Sequence, residues 1–327
     1  MKERVLSGMQ ASGRLHLGNL IGALSNWVGL QDKYDCYYFV ADWHALTTGY
    51  ADTSSIKEST KDILINFLAA GIDPEKCTIF IQSRVLEHAE LHLLLSMITP
   101  LGWLERVPTY KEKQQELKDR DLSNYGFLGY PLLQTADIII YRAKYVPVGI
   151  DQVPHLEISR EIARRFNHLY KEVFPEPEAL LTEFPKVVGI DGRKMSKSYD
   201  NAIYLSDTPE EVEQKLRTMV TDPARIKRTD TGTPELSPVY QLHKIFSSKE
   251  EQQEVAEGCI TAGIGCIECK KILIKNVFKV MEPIWTKRNG LINNPDVLHD
   301  IVNKGIEKAK RVAGETMQLV REAMGIY

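Results

Sequence analysis

One short segment reads Lys194-Met195-Ser196-Lys197-Ser198 and follows a polar turn that contains Gly189 and Gly192. A mobile loop with two ammonium groups and two hydroxyl groups offers many donors to a polyanion such as a triphosphate. For an isolated cluster of lysine and serine, a solvated basic turn would be the better interpretation. A second segment, near the N-terminus, favours the triphosphate here.

That second segment reads Gln10-Ala11-Ser12-Gly13-Arg14-Leu15-His16-Leu17-Gly18-Asn19 and is predicted to lead from a first strand into a first helix. A helix N-terminus presents unpaired N–H groups and a partial positive charge, which suit a phosphate. Gly13 permits a tight turn, and Gly18 lets a ligand approach the backbone closely. His16 and Asn19 can donate to a phosphate oxygen whose charge grows during a reaction. Without the lysine segment, a capping or surface histidine would be the preferred interpretation of His16.

A third segment, residues 130–137, reads Tyr130-Pro131-Leu132-Leu133-Gln134-Thr135-Ala136-Asp137. The Asp137 carboxylate can accept a hydrogen bond from a substrate N–H or O–H. An indole N–H can only donate, so a buried carboxylate is a suitable hydrogen-bond acceptor for it. A site with such a group rejects a ring without the donor by roughly 10⁴–10⁵. From these residues alone, a structural helix-capping role for Asp137 is an equal alternative.

The elements that position these segments alternate between strand and helix. Short apolar runs at 5–8, 36–41 and 77–81 are separated by helical periodicity at 16–30 and 54–70. This order predicts an α/β fold with a doubly wound, parallel, Rossmann-like sheet. Ligands of such sheets bind at the carboxyl ends of the strands, which places His16 and residues 42–44 in the crevice.

The chain is expected to form two domains. Residues 1–204 would be the catalytic domain, with a helical insertion at about 88–134, a helix at 155–167 and a last strand at 184–190 that leads into the lysine segment. Only helical periodicity follows, so residues 205–327 would be an all-helical second domain. Its last helix, about 301–324, is amphipathic and is expected to pack against another element.

Composition limits the function classes. The chain has 327 residues, 43% of them apolar, and a net charge of −3. A nucleic-acid partner would therefore need a local basic patch, for which Lys270, Lys271, Lys275 and Lys279 are candidates. Five cysteines make no disulfide scaffold. No apolar run approaches the roughly 20 residues that span a membrane, and no signal peptide is evident, so a cytoplasmic protein is expected.

Several dispersed segments, in the correct order, resemble the bacterial-type tryptophanyl-tRNA synthetases along nearly the whole chain. The segments around His16 and Lys194 are similar to the "HIGH" and "KMSKS" signatures of class I aminoacyl-tRNA synthetases. The other matching stretches are 7–10, 39–45, 130–131, 136–138, 146–149 and 151–152.

The resemblance implies an ATP-dependent ligase that activates L-tryptophan as tryptophanyl-adenylate and transfers it to tRNA(Trp). It implies Mg²⁺ with the ATP, a homodimer, and anticodon recognition by the helical domain. It also assigns residues. The catalytic residues would be His16, Lys194 and Lys197. ATP would contact Gln10, Ala11, Ser12, Gly18, Asn19, Gly149, Ile150, Asp151, Val187, Lys194, Met195, Ser196, Lys197 and Ser198. The amino-acid pocket would comprise His44, Tyr130, Gln134, Asp137, Val146, Val148 and Gln152.

Three positions depart from the family pattern. Ile150 stands where many relatives carry Glu, so only its backbone is expected to contact ATP. Ala11 replaces a frequent Pro, and Gln134 replaces a frequent Met. The spacing of Tyr130, Gln134 and Asp137 is also similar to that of tyrosyl-tRNA synthetases. A tyrosine-specific enzyme and a non-catalytic nucleotide- or RNA-binding relative therefore remain as alternatives.

Three clustered cysteines, Cys259, Cys266 and Cys269, have the spacing of metal ligands. A subset of the family carries the pattern C-x₂₂-C-x₆-C-x₂-C, which holds a [4Fe–4S] cluster, but the first position is Leu236 here. Three thiolates are one short of the usual four ligands of a cubane cluster or a structural zinc. Either His243 completes a metal site, or the cysteines are reduced, buried thiols of a degenerate remnant.

Overall fold

The structure is a computed structural model that describes residues 2–107, 122–181 and 186–326. In these ranges five strands form one sheet, in the order β3-β2-β1-β4-β5, and every neighbouring pair is parallel. The strands are β1 Arg4–Gln10, β2 Asp35–Ala41, β3 Cys77–Ile81, β4 Tyr145–Val148 and β5 Glu178–Leu181. The predicted α/β, Rossmann-like class is confirmed.

The central strands are buried because helices cover the sheet. Val5 lies opposite Cys36 in β2, and Cys36 lies opposite Cys77 in β3. All three side chains are buried. Parallel strands covered on both faces are continuous apolar runs, which explains why these strands were predictable from sequence.

Nine α-helices in the described ranges pack around the sheet before residue 170. They are α1 Leu17–Asn19, α2 Ser25–Leu30, α3 Asp42–Gly49, α4 Ile56–Ala69, α5 Glu87–Ser96, α6 Leu101–Glu105, α7 Tyr125–Leu128, α8 Tyr130–Ile140 and α9 Val153–Leu169, with a π-helical turn Leu20–Leu24 between α1 and α2. In the expected insertion at 88–134, residues 108–121 lie outside the described residues.

The prediction of a last strand at 184–190 was wrong for residues 186–190, the part of that range that the structure describes. The final strand of the sheet is β5, which ends at Leu181, and residues 182–185 lie outside the described ranges. Val188 instead forms an isolated antiparallel bridge with Lys194, and the Gly189 N–H donates to the Arg193 carbonyl at 2.7 Å. The backbone bonds of this segment are therefore made within a tight hairpin and, at Ile190, with Asn201 and Val220, and not with the sheet.

The C-terminal region is helical, with α10 Pro209–Thr218, α11 Pro238–Phe246, α12 Lys249–Ile260, α13 Cys266–Asn293 and α14 Pro295–Met324. Helix α14 lies against β3, where a Cβ on Gly305 would stand 1.8 Å from the Ile79 carbonyl oxygen. In α13, the buried Arg288 guanidinium donates to Asp62 at 2.9 Å and to Asn66 at 2.6 Å, both in α4. No helix in the described ranges is long and apolar enough to cross a bilayer.

Candidate active site

The two segments with signature-like sequences meet at the carboxyl end of the sheet. The Lys197 ammonium donates to the Ser12 carbonyl oxygen at 3.0 Å. Gly13 follows with φ +96°, in the left-handed region that favours glycine. Next to them, the Gln10 amide donates to the His44 carbonyl at 3.0 Å. This corner therefore combines the end of β1, the start of α3 and the lysine segment.

A short antiparallel pairing brings these distant segments together. The Leu17 N–H donates to the Ile203 carbonyl at 2.9 Å, and the Leu205 N–H donates to the Leu15 carbonyl at 2.8 Å. Residues 203–205 follow the lysine segment closely in sequence. Because they are fixed beside residues 15–17, the lysine segment is held near His16.

The His16 ring lies directly over Gly18. A Cβ at position 18 would stand 2.9 Å from His16 Cε1 and Nδ1, so only glycine leaves room for the ring. Burial and, after it, the nearby Lys197 and Lys194 charges together lower the pKa of His16 to about 4. The ring is therefore neutral at neutral pH. Its Nδ1 is buried and has no hydrogen-bond partner among the described residues.

The lysine segment is shaped by a residue that sequence reasoning missed, Asn201. This amide is 1% exposed and donates to Asp191 Oδ1 at 2.7 Å and to the Lys194 carbonyl at 3.1 Å. Its oxygen accepts from the Ser196 N–H at 2.9 Å. A Cβ on Gly189 would stand 2.4 Å from the Asn201 amide. Asn201 thus fixes the backbone on both sides of the turn.

The remaining residues of the segment differ in burial. Met195 is buried, and its N–H donates to the Val187 carbonyl at 2.9 Å. Lys194 and Ser198 are exposed. Burial lowers the pKa of Lys197, an effect that Asp62 opposes. One ammonium is therefore held inside the crevice, and the other lies at its surface.

The Asp137 carboxylate is 1% exposed and is surrounded by donors. His44 Nε2 lies 2.9 Å from Oδ2, His88 Nδ1 lies 2.6 Å from Oδ1, and Gln82 Nε2 lies 2.8 and 2.9 Å from the two oxygens. Burial would raise the pKa of Asp137, but the hydrogen bonds from His44 and His88 outweigh it and lower the pKa to about 2. Asp137 is therefore an ionised acceptor and not a helix cap.

The other predicted pocket residues are placed by two elements. Tyr130 and Gln134 lie on the same helix as Asp137, and Val146 and Val148 lie on β4. A short 3-10 turn, Ile150–Gln152, follows β4. These elements border the carboxyl end of the sheet. Asn19 is placed at the start of α1, where its side-chain oxygen accepts from the His16 N–H at 3.0 Å.

The turn after β4 carries the remaining predicted ATP contacts. Gly149 accepts the Gln152 N–H at 3.0 Å, and the Ile150 side chain is 82% exposed. A contact between ATP and the Ile150 backbone stays a prediction. Ala11 is buried at the end of β1.

A cavity lies beside this region and not within it. It has a volume of about 530 Å³ and lies between α3, α5, α7 and α8. Its wall includes Trp43, Leu46, Ala89, His92 and Leu133, and none of the predicted contact residues. We assign the site from the converging polar groups because cavity size alone carries no chemistry.

The three clustered cysteines line a cavity of about 20 Å³. Burial, with Cys266 and Cys259 nearby, raises the pKa of Cys269 to about 12, so this thiol stays protonated. His243 Nε2 lies 3.4 Å from Cys269 Sγ, but the ring already contacts Ser247 Oγ at 2.7 Å and the Cys269 carbonyl at 3.2 Å. In the described ranges, no three His, Cys, Asp or Glu side chains are arranged to hold a metal ion.

The residues at this position therefore do not fit a [4Fe–4S] cluster or a structural zinc. Leu236, at the position of the missing fourth cysteine, is 64% exposed. The Arg225 guanidinium instead joins the surrounding loops, since it donates to the carbonyls of Asp230 and Ile264, both at 2.9 Å. Among the described residues, protein hydrogen bonds thus hold the loops around these cysteines.

Comparisons with known proteins agree with this geometry. A family model described as "tRNA synthetases class I (W and Y)" matches residues 2–282. The tryptophan–tRNA ligase of Thermotoga maritima is 56% identical over 325 residues, which cover 99% of each chain. That of Ralstonia nicotianae is 46% identical and covers 99% of this chain and 98% of its own. The crystal structure of Campylobacter jejuni tryptophanyl-tRNA synthetase complexed with ADP and tryptophan is 36% identical, with a TM-score of 0.90 over 99% of this chain and 100% of the other.

Proposed function

The chain belongs to the tryptophan and tyrosine family of class I tRNA synthetases, and we propose which role each site residue has when L-tryptophan is joined to tRNA(Trp). Tryptophan is the amino acid, because the relatives that align along 99% of the chain are named tryptophan–tRNA ligases. The observation that carries the assignment of roles is the contact between Lys197 and Ser12, which joins both signature segments beside His16.

ATP lies between these two segments. The neutral His16 ring donates to a phosphate oxygen, while the Lys194 and Lys197 ammonium groups offset the charge of the β- and γ-phosphates. Mg²⁺ arrives with the phosphates and keeps several of its waters, so it needs no protein cage. The other ATP contacts are Gln10, Ala11, Ser12, Gly18, Asn19, Gly149, the backbone of Ile150, Asp151, Val187, Met195, Ser196 and Ser198.

The reaction has two steps, formation of the adenylate and transfer of tryptophan to the tRNA. A carboxylate oxygen of tryptophan attacks the α-phosphorus of ATP, the bond to the bridging oxygen breaks, and pyrophosphate leaves with that electron pair. A ribose hydroxyl at the 3′ end of the tRNA then attacks the carbonyl of the adenylate, and AMP leaves. Both nucleophiles belong to substrates, so the protein supplies position and charge. Closure of the lysine segment keeps water from the adenylate.

The indole ring is recognised by Asp137. Its ionised carboxylate accepts the indole N–H, and Val146 and Val148 form the apolar wall. His44, Tyr130, Gln134 and Gln152 complete the pocket. A phenol also carries a donor, so the acceptor alone does not exclude tyrosine.

The helical region 205–327 binds the anticodon part of the tRNA. Support comes from α13, where Lys271, Lys275 and Lys279 are exposed and spaced four residues apart on one face. Lys270 is excluded from this face, because its ammonium donates to the Arg217 carbonyl at 2.8 Å. Single-stranded anticodon bases are read by stacking and by hydrogen bonds to their edges.

The enzyme acts as a cytoplasmic homodimer, with residues 1–204 as its catalytic domain. Support for a dimer comes from an apolar surface around α5 and α6, where Leu86, Leu93, Met97 and Leu101 are 67%, 55%, 68% and 61% exposed. Large contiguous apolar surfaces mark interaction sites. Sedimentation analysis of the wild-type protein and of a Met97→Glu variant tests this, since only the wild type should dimerise.

Pyrophosphate exchange with each amino acid tests the activity. Exchange is expected with tryptophan and ATP and not with tyrosine. Activity with tyrosine but not with tryptophan would overturn the substrate assignment. Absence of exchange with either amino acid, in a preparation that binds ATP, would favour a non-catalytic relative.

A further inference from the structure

Behind Asp137 lies a chain of buried polar groups that tryptophan activation does not itself use. Gln82, in the turn after β3, and His88, in α5, both contact the carboxylate, and His88 Nε2 lies 2.7 Å from the Tyr141 hydroxyl. The side chains of Gln82, His88 and Tyr141 are 0% exposed. Burying so many polar groups is costly unless each is paired, so their arrangement calls for an explanation.

When the His88 ring is neutral, the protonation of its neighbours sets the direction of each hydrogen bond in this chain. An ionised carboxylate can only accept, so His88 Nδ1 carries the proton that points to Asp137. Burial raises the pKa of Tyr141 well above its usual value, so its O–H stays protonated and donates to His88 Nε2. The Tyr141 hydroxyl thereby selects the tautomer of His88 that donates to Asp137.

The orientation of Gln82 is fixed in the same way. Its Oε1 accepts the Trp43 N–H at 3.2 Å, which leaves Nε2 to face both oxygens of Asp137. Trp43 immediately precedes His44, which approaches Asp137 from the more exposed side, with 15% of its side chain accessible. Two fully buried donors therefore hold the carboxylate from behind, and His44 occupies the remaining acceptor direction on Oδ2.

We propose that Gln82, His88 and Tyr141 are positioning residues for amino-acid specificity, which fix the plane of the Asp137 carboxylate so that the acceptor direction now occupied by His44 points at the indole N–H. This inference rests on the proposed role of Asp137 as the indole reader. A carboxylate that recognises one N–H must be held within about 0.5 Å of its productive position. This requires neighbouring side chains whose conformations are fixed. The competing account is that the three residues only stabilise the core.

A tryptophan analogue separates the two accounts. In 3-(benzothiophen-3-yl)alanine a sulfur atom replaces the indole N–H, so the analogue has nearly the same shape and no donor. For Tyr141→Phe we expect kcat/KM for tryptophan in pyrophosphate exchange to fall on the order of three- to tenfold, while kcat/KM for the analogue changes by less than about twofold. Tyr37→Phe is the matched control, because Tyr37 is buried and stacks on Tyr141 at 5.0 Å without contacting His88.

Two further variants keep the test decisive if Tyr141→Phe unfolds. His88→Asn keeps a donor near the position of Nδ1 and should retain more of the preference for tryptophan over the analogue than His88→Leu. An equal loss for both substrates, or an unchanged ratio in all variants, would overturn the positioning role. If the wild-type enzyme used tryptophan and the analogue equally well, Asp137 would not be the residue that recognises the indole N–H. That outcome is distinct from a failure of the positioning role.

Discussion

Lys197 Nζ lies 3.0 Å from the carbonyl oxygen of Ser12, so an ammonium from one end of the catalytic region is bound to the backbone of the other. The contact places a positive charge beside His16 and lowers the pKa of that histidine. A triphosphate that entered this corner would exchange one carbonyl acceptor for several phosphate oxygens. The contact therefore marks the position from which Lys197 can reach ATP.

Replacing Lys197 by Ala should slow adenylate formation and leave tryptophan binding nearly unchanged. Removal of one preorganised group that stabilises developing charge typically costs about 10²–10³ in rate. Single-turnover adenylate formation and equilibrium tryptophan binding measure the two effects. Lys33→Ala is the control, because Lys33 is exposed and precedes β2 at the opposite end of the sheet. Equal losses of rate and of tryptophan affinity would mean that the segment is structural.

The lowered pKa of His16 has a consequence for stability. Its folded-state pKa is about 4, against an ordinary value of 6.5, so the unfolded chain takes up a proton first as the pH falls. His16 should therefore lower the free energy of unfolding progressively between pH 6.5 and pH 4, and not change it above pH 6.5. Urea unfolding of the wild type and of His16→Gln across this range should show a smaller acid loss in the variant. Parallel pH dependences in the two proteins would contradict this.

Asn201 should control the shape of the lysine segment. Asn201→Ala removes the acceptor of the Ser196 N–H and leaves buried groups unpaired, which costs about 1–3 kcal/mol of stability. Adenylate formation should fall while KM for tryptophan changes little. Gly189→Ala should act similarly, because its Cβ would stand 2.4 Å from the Asn201 amide. Asn293→Ala, at an exposed position, is the control. Normal kinetics in Asn201→Ala would exclude a positioning role.

Strands β2 and β3 could be predicted from sequence because each is a nearly continuous run of buried apolar and aromatic residues. The π-helical turn Leu20–Leu24 could not, because its apolar spacing is that of an ordinary helix. The last strand was misplaced because residues 187–190 carry no polar side chain and yet make their backbone bonds within a hairpin and with Asn201 and Val220.

Site residues could be predicted from sequence only where they belong to a short, recognisable segment. Lys197 and His16 belong to recognisable segments, whereas Gln82 and His88 contact Asp137 from 55 and 49 positions away. Nothing in the sequence around Gln82 indicates a partner at that separation. The sequence indicates a role for Asn201 only weakly, because an amide residue at the end of a glycine-rich turn often bonds to the backbone of that turn.

The cysteine cluster leads to a prediction about metals. The cluster offers three thiols, one short of the usual four ligands, and His243 already contacts Ser247 and the Cys269 carbonyl. Anaerobically purified protein should therefore contain neither iron nor zinc in stoichiometric amounts, and a chelator should leave its melting temperature unchanged. Arg225→Met should lower the melting temperature by several degrees, since the carbonyls of Asp230 and Ile264 lose their donor. Arg193→Met, at an exposed site, is the control. Stoichiometric metal whose removal unfolds the protein would show that the loops depend on an ion and not on Arg225.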